Sequence, residues 1–154
     1  MYTHSPVLPP ALRQARHQLL EGSEIAFGTL DERLARSWQR SLAAGLSPMG
    51  RLTGGENLSG PELQRSLARN HDLVSHSRPV MEYLFEQVRH SHSMVILADS
   101  QGVLMHTLGD MDFLGKAERV ALMSGACWHE HHRGTNAIGT ALAEAEGVEI
   151  HGAE

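Results

Sequence analysis

The amino-acid sequence predicts an α+β fold, in which a helical lead-in precedes a small antiparallel sheet with helices around it. Three observations predict it. Up to His92, apolar side chains recur at helical spacing. Met94-Val95-Ile96-Leu97-Ala98 and Val103-Leu104-Met105-His106-Thr107 are two short apolar runs on either side of Asp99-Ser100-Gln101-Gly102, which is a hairpin signature. Beyond them, a polar and histidine-rich segment runs into a second, short amphipathic helix.

The elements follow in order. Pro9-Pro10 start a helix that runs to about Glu21, with Leu12, Ala15 and Leu19 on its apolar side and Gly22 as its stop. A second helix spans about Asp31 to Ala44. Its stripe is Leu34, Trp38 and Leu42, and Gly45 closes it. Ser47-Pro48-Met49-Gly50 is a turn, and residues 50–58 are loop. Ser59-Gly60-Pro61-Glu62 has the spacing of a capping box, and Leu63, Leu67 and Val74 follow on a third helix. Ser77-Arg78-Pro79 is expected to break it and to start a fourth, carrying Met81, Leu84, Phe85 and Val88. After the hairpin come a helix near Lys116–Met123, a polar loop, a helix over Gly134–Glu144 and a strand over Val148–His151. The chain therefore divides into a helical extension, residues 1–58, and an α+β domain, residues 59–154. No internal repeat or low-complexity segment occurs.

Composition narrows the function classes. With 154 residues, 41% hydrophobic and 20% charged, the chain has the make-up of one soluble globular domain with an extension. No apolar run is long enough to span a membrane, and the start lacks the layout of a secretory signal, so a cytoplasmic location is expected. The single cysteine, Cys127, excludes an intramolecular disulfide. The net charge of −5 is uneven. Residues 1–92 hold ten Lys/Arg and nine Asp/Glu, whereas residues 93–154 hold three and nine. An acidic second half is a poor surface for tracking phosphates, so no direct nucleic-acid contact is expected. Arg33, Arg36 and Arg40 around Trp38 resemble a DNA-reading helix only superficially. That helix has near-neutral local charge, and its stripe fits packing or self-association.

The segment Trp128–Asn136 is the candidate functional site. Trp128, Glu130, Thr135 and Asn136 place an aromatic ring, a carboxylate, a hydroxyl and an amide next to the start of a helix. Such groups suit a small polar ligand, with Trp128 covering it, Glu130 accepting hydrogen bonds and Asn136 both donating and accepting. His106, on a short strand among apolar neighbours, joins the candidates if it faces the same pocket. The competing reading makes Trp128 a packing anchor and Asn136 or Thr135 a helix cap. Cys127, His129, His131 and His132 are metal-ligand types within six residues, but they lack the paired spacing of a structural zinc site, so no metal and no cofactor are expected. A Cys127–His129 nucleophile pair has no orienting partner, and no phosphate loop, dinucleotide fingerprint or nucleophile elbow occurs. Catalysis is not expected.

Two motifs carry a family resemblance. One is Trp128-x-Glu130, followed by Gly134-Thr135-Asn136-Ala137-Ile138-Gly139-Thr140-Ala141-Leu142 and then Val148-x-Ile150-His151-Gly152-Ala153-Glu154. The other is Arg36-Ser37-Trp38-Gln39-Arg40-Ser41 with Gly45-Leu46-Ser47-Pro48. Over roughly residues 30 to 154 the chain resembles the sensory GAF region of bacterial activators that work with sigma-54 RNA polymerase, the acetoin- and dihydroxyacetone-responsive type. The resemblance implies a GAF-like antiparallel sheet that needs about three further strands, so the sheet here is truncated. It also implies a small hydroxylated effector, and sigma-54 polymerase as a partner only through ATPase and DNA-binding domains absent from this chain. An incomplete sheet leaves an edge, which predicts a homodimer. The alternative function is a dimerisation or interaction module that binds no ligand.

Overall fold

A computed structural model describes residues 10–22, 30–47, 57–119 and 121–151. Among these residues the chain forms seven helices and one two-stranded antiparallel sheet. The order is α1 (Pro10–Leu20), α2 (Glu32–Ala43), α3 (Gly60–Arg69), α4 (His71–Val88), β1 (Met94–Ala98), β2 (Leu104–Gly109), α5 (Met111–Arg119), α6 (Glu130–Arg133) and α7 (Ala137–Glu144). None of the helices is long and apolar enough to cross a membrane.

The first two helices follow the sequence pattern. Asp31 caps α2 by accepting from the Arg33 amide at 2.8 Å. The Arg33 guanidinium holds the same carboxylate down at about 2, well below its usual range. Leu12, Ala15 and Trp38 are buried together, with Leu19 and Leu30 against them, so α1 and α2 share one small apolar cluster. The expected start at Pro9, the Pro48-Met49-Gly50 part of the expected turn, most of the 50–58 loop and the Gly152-Ala153-Glu154 end of the quoted motif lie outside the described residues.

The third and fourth helices correct the sequence reading twice. The chain breaks at Asn70, not at Pro79. Asn70 leaves helical geometry, its amide group donates to the Ser66 carbonyl at 3.0 Å, and α4 starts at the next residue. Pro79 sits inside a continuous α4 on its exposed side. There, the carbonyl that proline leaves without an amide donor can be hydrated, which lowers the cost of the interruption. The capping box also fails to form: the Ser59 side chain makes no cap bond, and Gly60 takes a left-handed φ of 49°.

The hairpin is where the sequence placed it. Met94 pairs with Gly109 and Leu97 with His106, with a bulge at Leu97/Ala98. The turn is built by the buried Asp99, which accepts from the Gln101 and Val103 amides at 2.9 and 3.0 Å. Gly102 completes it with φ 75°, and a Cβ there would lie 3.0 Å from the His129 amide nitrogen. The sheet gains a short third rung, because Val103 bridges Cys127 and the Trp128 amide donates to the Gly102 carbonyl at 2.8 Å. Val103, Met105 and Cys127 form a second apolar cluster, covered by Leu58, Leu67, Val74 and Leu97. That cluster is the core of the α3–α4–hairpin unit.

Three expectations at the C-terminal side are corrected. The helix placed near Lys116–Met123 runs instead from Met111 to Arg119, because Asp110 already accepts from the Phe113 and Leu114 amides. The polar loop contains a one-turn helix, α6, which the histidine-rich composition did not signal. Val148–His151 is not a strand: among the described residues no backbone ladder receives it, and a strand without a ladder gains nothing from an extended form. α2 packs on α6 and α7, so the helical extension and the C-terminal segment meet across more than ninety residues of sequence.

Candidate functional site

The site is a polar joint between α2, α6 and α7. Its centre is Glu130, the first residue of α6, whose side chain is 3% exposed. One carboxylate oxygen, Oε1, accepts from the Ser37 hydroxyl at 2.5 Å, the Thr140 hydroxyl at 2.6 Å and Arg40 Nη2 at 3.1 Å. The other, Oε2, accepts from Arg40 Nε at 2.6 Å. Thr135 closes the ring, its hydroxyl 2.7 Å from that of Ser37. Burial pushes the Glu130 carboxyl up, but hydrogen bonds from Arg40, Ser37 and Thr140 outweigh it and hold the group below the ordinary glutamate range.

A second carboxylate extends the joint. Glu144, at the end of α7, is 8% exposed. It takes Arg36 through Nε and Nη2, and Arg40 Nη1 at 2.7 Å. These two arginines, Arg36 first, bring its pKa down to about 2. Arg40 thus bridges two carboxylates from two different helices, and Glu130 first and Glu144 next raise its pKa further. Charge-assisted bonds of this kind are roughly twice as strong as neutral ones. The one loose end among the described residues is Ser41 Oγ, a buried oxygen with no partner near Gly134.

Local sequence explains why α7 reaches this place. Asn136 takes an extended backbone and caps α7, its Oδ1 accepting from the Gly139 amide at 2.8 Å. Its Nδ2 donates to the Gly134 and Trp128 carbonyls at 2.8 and 3.0 Å. One amide group thus fastens the helix start, the preceding turn and the tryptophan segment. Gly139 lets them touch: a Cβ there would lie 2.6 Å from the Trp128 carbonyl oxygen and 2.7 Å from the Glu130 nitrogen. No larger residue fits without moving backbone.

The five residues named from sequence divide accordingly. Glu130 and Thr135 meet in the joint. Asn136 is the cap, with its amide fully engaged. Trp128 donates from Nε1 to the Ala121 carbonyl at 2.9 Å and lies under the Arg133 guanidinium, 5.4 Å from its ring centre, an internal use of both edge and face. His106 is not brought to them. It lies on β2 facing α4, where burial first and Arg78 next lower its pKa. Sequence reasoning missed Ser37, Arg36, Arg40, Thr140 and Glu144 as partners. One signal is available in the sequence: Arg36 and Arg40 stand one turn apart on one helix face, as salt-bridging residues do.

The candidate metal ligands separate as well. The Cys127 thiol is buried in the hairpin cluster, whereas the His129, His131 and His132 rings stack on one another at 3.9 and 4.2 Å. Among the described residues no group of three or more His, Cys, Asp or Glu is placed to hold a metal ion. A shallow groove of about 230 Å³ opens beside the joint, lined by Asp31, Arg33, Leu34, Val148, Glu149 and His151.

A tight ionic joint between a lead-in helix and a one-turn helix is a means of holding elements together. The relatives are bacterial transcriptional regulators. The chain is 36% identical over 135 residues to the acetoin dehydrogenase operon transcriptional activator AcoR of Bacillus subtilis (strain 168), a match covering 84% of this chain and 22% of that protein. It is 31% identical over 125 residues to the acetoin catabolism regulatory protein of Cupriavidus necator, covering 80% and 19%. It is 26% identical over 143 residues to the propane 2-monooxygenase operon transcriptional activator MimR of Mycolicibacterium goodii, covering 92% and 23%. The chain thus spans about a fifth of the length of these curated relatives. No family profile and no solved structure matches it.

Proposed function

We propose that this chain is the signal-receiving region of a bacterial sigma-54-dependent transcriptional activator, built as a GAF-like domain with a helical lead-in. The observation that carries the reading is the coincidence of the two sequence motifs with one structural joint: the 36–41 motif of α2 and the 130–144 segment of α6 and α7 bind each other directly. The similarity to acetoin-linked regulators supports the same reading. In this function the chain catalyses nothing. It takes a small hydroxylated effector on the Trp128–Asn136 side of the sheet, and binding shifts the balance between two arrangements of the lead-in helices. An ATPase domain and a DNA-binding domain elsewhere in a longer protein would act on that shift.

Glu130 and Thr135 are the effector contacts best suited to hydroxyl groups, since Ser37 and Thr140 already offer them hydroxyls. Native mass spectrometry with acetoin and with dihydroxyacetone as probes tests the reading. An adduct that survives on the folded chain and vanishes on denaturation is expected. A ligand-free mass with both probes, together with an unchanged melting temperature, would overturn it.

A second reading, self-association, is favoured by a separate observation. α4 exposes Leu73, Val80, Tyr83 and Leu84, apolar side chains that flank the face packed on the hairpin. A homodimer is proposed on that basis, and a monomer mass at high concentration would remove it.

A further inference from the structure

The chain has two apolar clusters, and among the described residues they do not merge. Leu12, Ala15, Trp38, Leu19 and Leu30 hold α1 to α2. Val103, Met105, Cys127 and their neighbours hold α3 and α4 to the hairpin. What lies between α2 and the rest is chiefly polar: Ser37, Arg36 and Arg40 on one side, Glu130, Thr135, Thr140 and Glu144 on the other. Arg33 adds a bond to the Gly147 carbonyl at 3.4 Å. The apolar contribution is small. Leu34 is buried beside the groove that it shares with Val148, and Leu46 approaches Gly134.

From this division we infer that α1 and α2 form a detachable arm, which undocks from α6 and α7 as one body by breaking the Arg36/Arg40–Glu130/Glu144 joint while keeping its own apolar cluster. The physical reason is the difference between the two kinds of contact. Opening an apolar cluster exposes surface that water does not compensate. Opening this joint returns two buried carboxylates to water and fully hydrates two arginines that are already 36% and 47% exposed, so most of the electrostatic gain of docking is recovered on release. Trp38 remains covered by α1, and its ring keeps the Arg16 guanidinium 6.0 Å away within the same arm. Arg40 bridges both carboxylates at once, so its bonds to Glu130 and Glu144 support each other.

The inference does not rest on any ligand. It does give the proposed sensor a moving part, because Glu130 becomes accessible only after Ser37 and Arg40 leave it.

Paired spin labels test it. With Cys127→Ala as background, Gln39→Cys and Ala143→Cys report the distance across the joint, and Gln14→Cys with Gln39→Cys reports the distance within the arm; all three labelled positions are exposed. Arg40→Ala and, as the milder change, Glu144→Gln each weaken the joint. The expected result is a longer 39–143 distance in about tenfold more molecules for Glu144→Gln, the effect of losing about one charge-assisted hydrogen bond, and in still more for Arg40→Ala, which removes three, with the 14–39 distance unchanged in both. An unchanged 39–143 distance in both variants would overturn the inference. So would loss of the 14–39 distance together with it, since the arm would then not be a unit.

Discussion

Beneath the hairpin, Val103, Met105 and Cys127 are buried among leucines and valine, whereas between α2 and α7 the buried groups are Ser37, Glu130, Asn136 and Thr140. The first region excludes water because it has no use for it. The second excludes water although every group in it would accept hydration. The apolar region is non-directional, so its stability depends on volume and tolerates modest repacking. The joint is directional, and each hydroxyl and guanidinium must find its acceptor within a few tenths of an ångström. One region gives the chain a stable base, and the other gives α2 a single allowed position.

The largest expected break in this comparison is Leu104→Ala. Leu104 is fully buried on β2, and its truncation should cost about 2–5 kcal/mol in urea unfolding, equally at low and high salt. Next is Glu130→Ala, at about 1–3 kcal/mol, because the fully buried Ser37 and Thr140 hydroxyls lose their acceptor. Unlike the leucine change, it should release α2 before the hairpin opens, as seen by hydrogen exchange of α2 amides. A cost shared equally by both regions would erase the distinction.

Gly139→Ala should cost about 1–3 kcal/mol by overpacking, since the added methyl meets the Trp128 and Glu130 backbone. Asn136→Ala should cost about 1–2 kcal/mol in thermal unfolding, for the lost cap. Asn136→Asp should recover part of it, as a carboxylate accepts from the Gly139 amide but cannot donate to the Trp128 carbonyl.

Acid should sharpen the comparison most gently. Glu144, at about 2, and Glu130 both ionise more readily folded than unfolded. Their contribution is fully present above the unfolded glutamate value of 4.5 and is lost as pH falls from there toward 2. Protection of α2 amides from hydrogen exchange should fall across that window, ahead of protection in β1 and β2. Simultaneous loss would show that the joint carries no separate stability.

Parts of this were legible without coordinates because their causes are local. The hairpin strands follow from two apolar runs around a turn whose aspartate and glycine act within four residues. Helices α1, α2 and α7 follow from spacing, the Asp31 and Asn136 caps, and the Gly22 and Gly45 stops. Glu130 and Thr135 are legible as polar neighbours but their partners are not, because a sequence shows which groups are polar and not what they face. Pro79 misled for a similar reason: whether a proline breaks a helix depends on whether its orphaned carbonyl meets water. Only the tertiary structure decided that Arg40 lies between Glu130 and Glu144, that His106 faces α4 instead, and that Gly139 touches the Trp128 backbone. Local structure is set by forces that act over a few residues, which the sequence displays directly. The joint is set by groups about ninety residues apart, and their pairing exists only after the chain has folded.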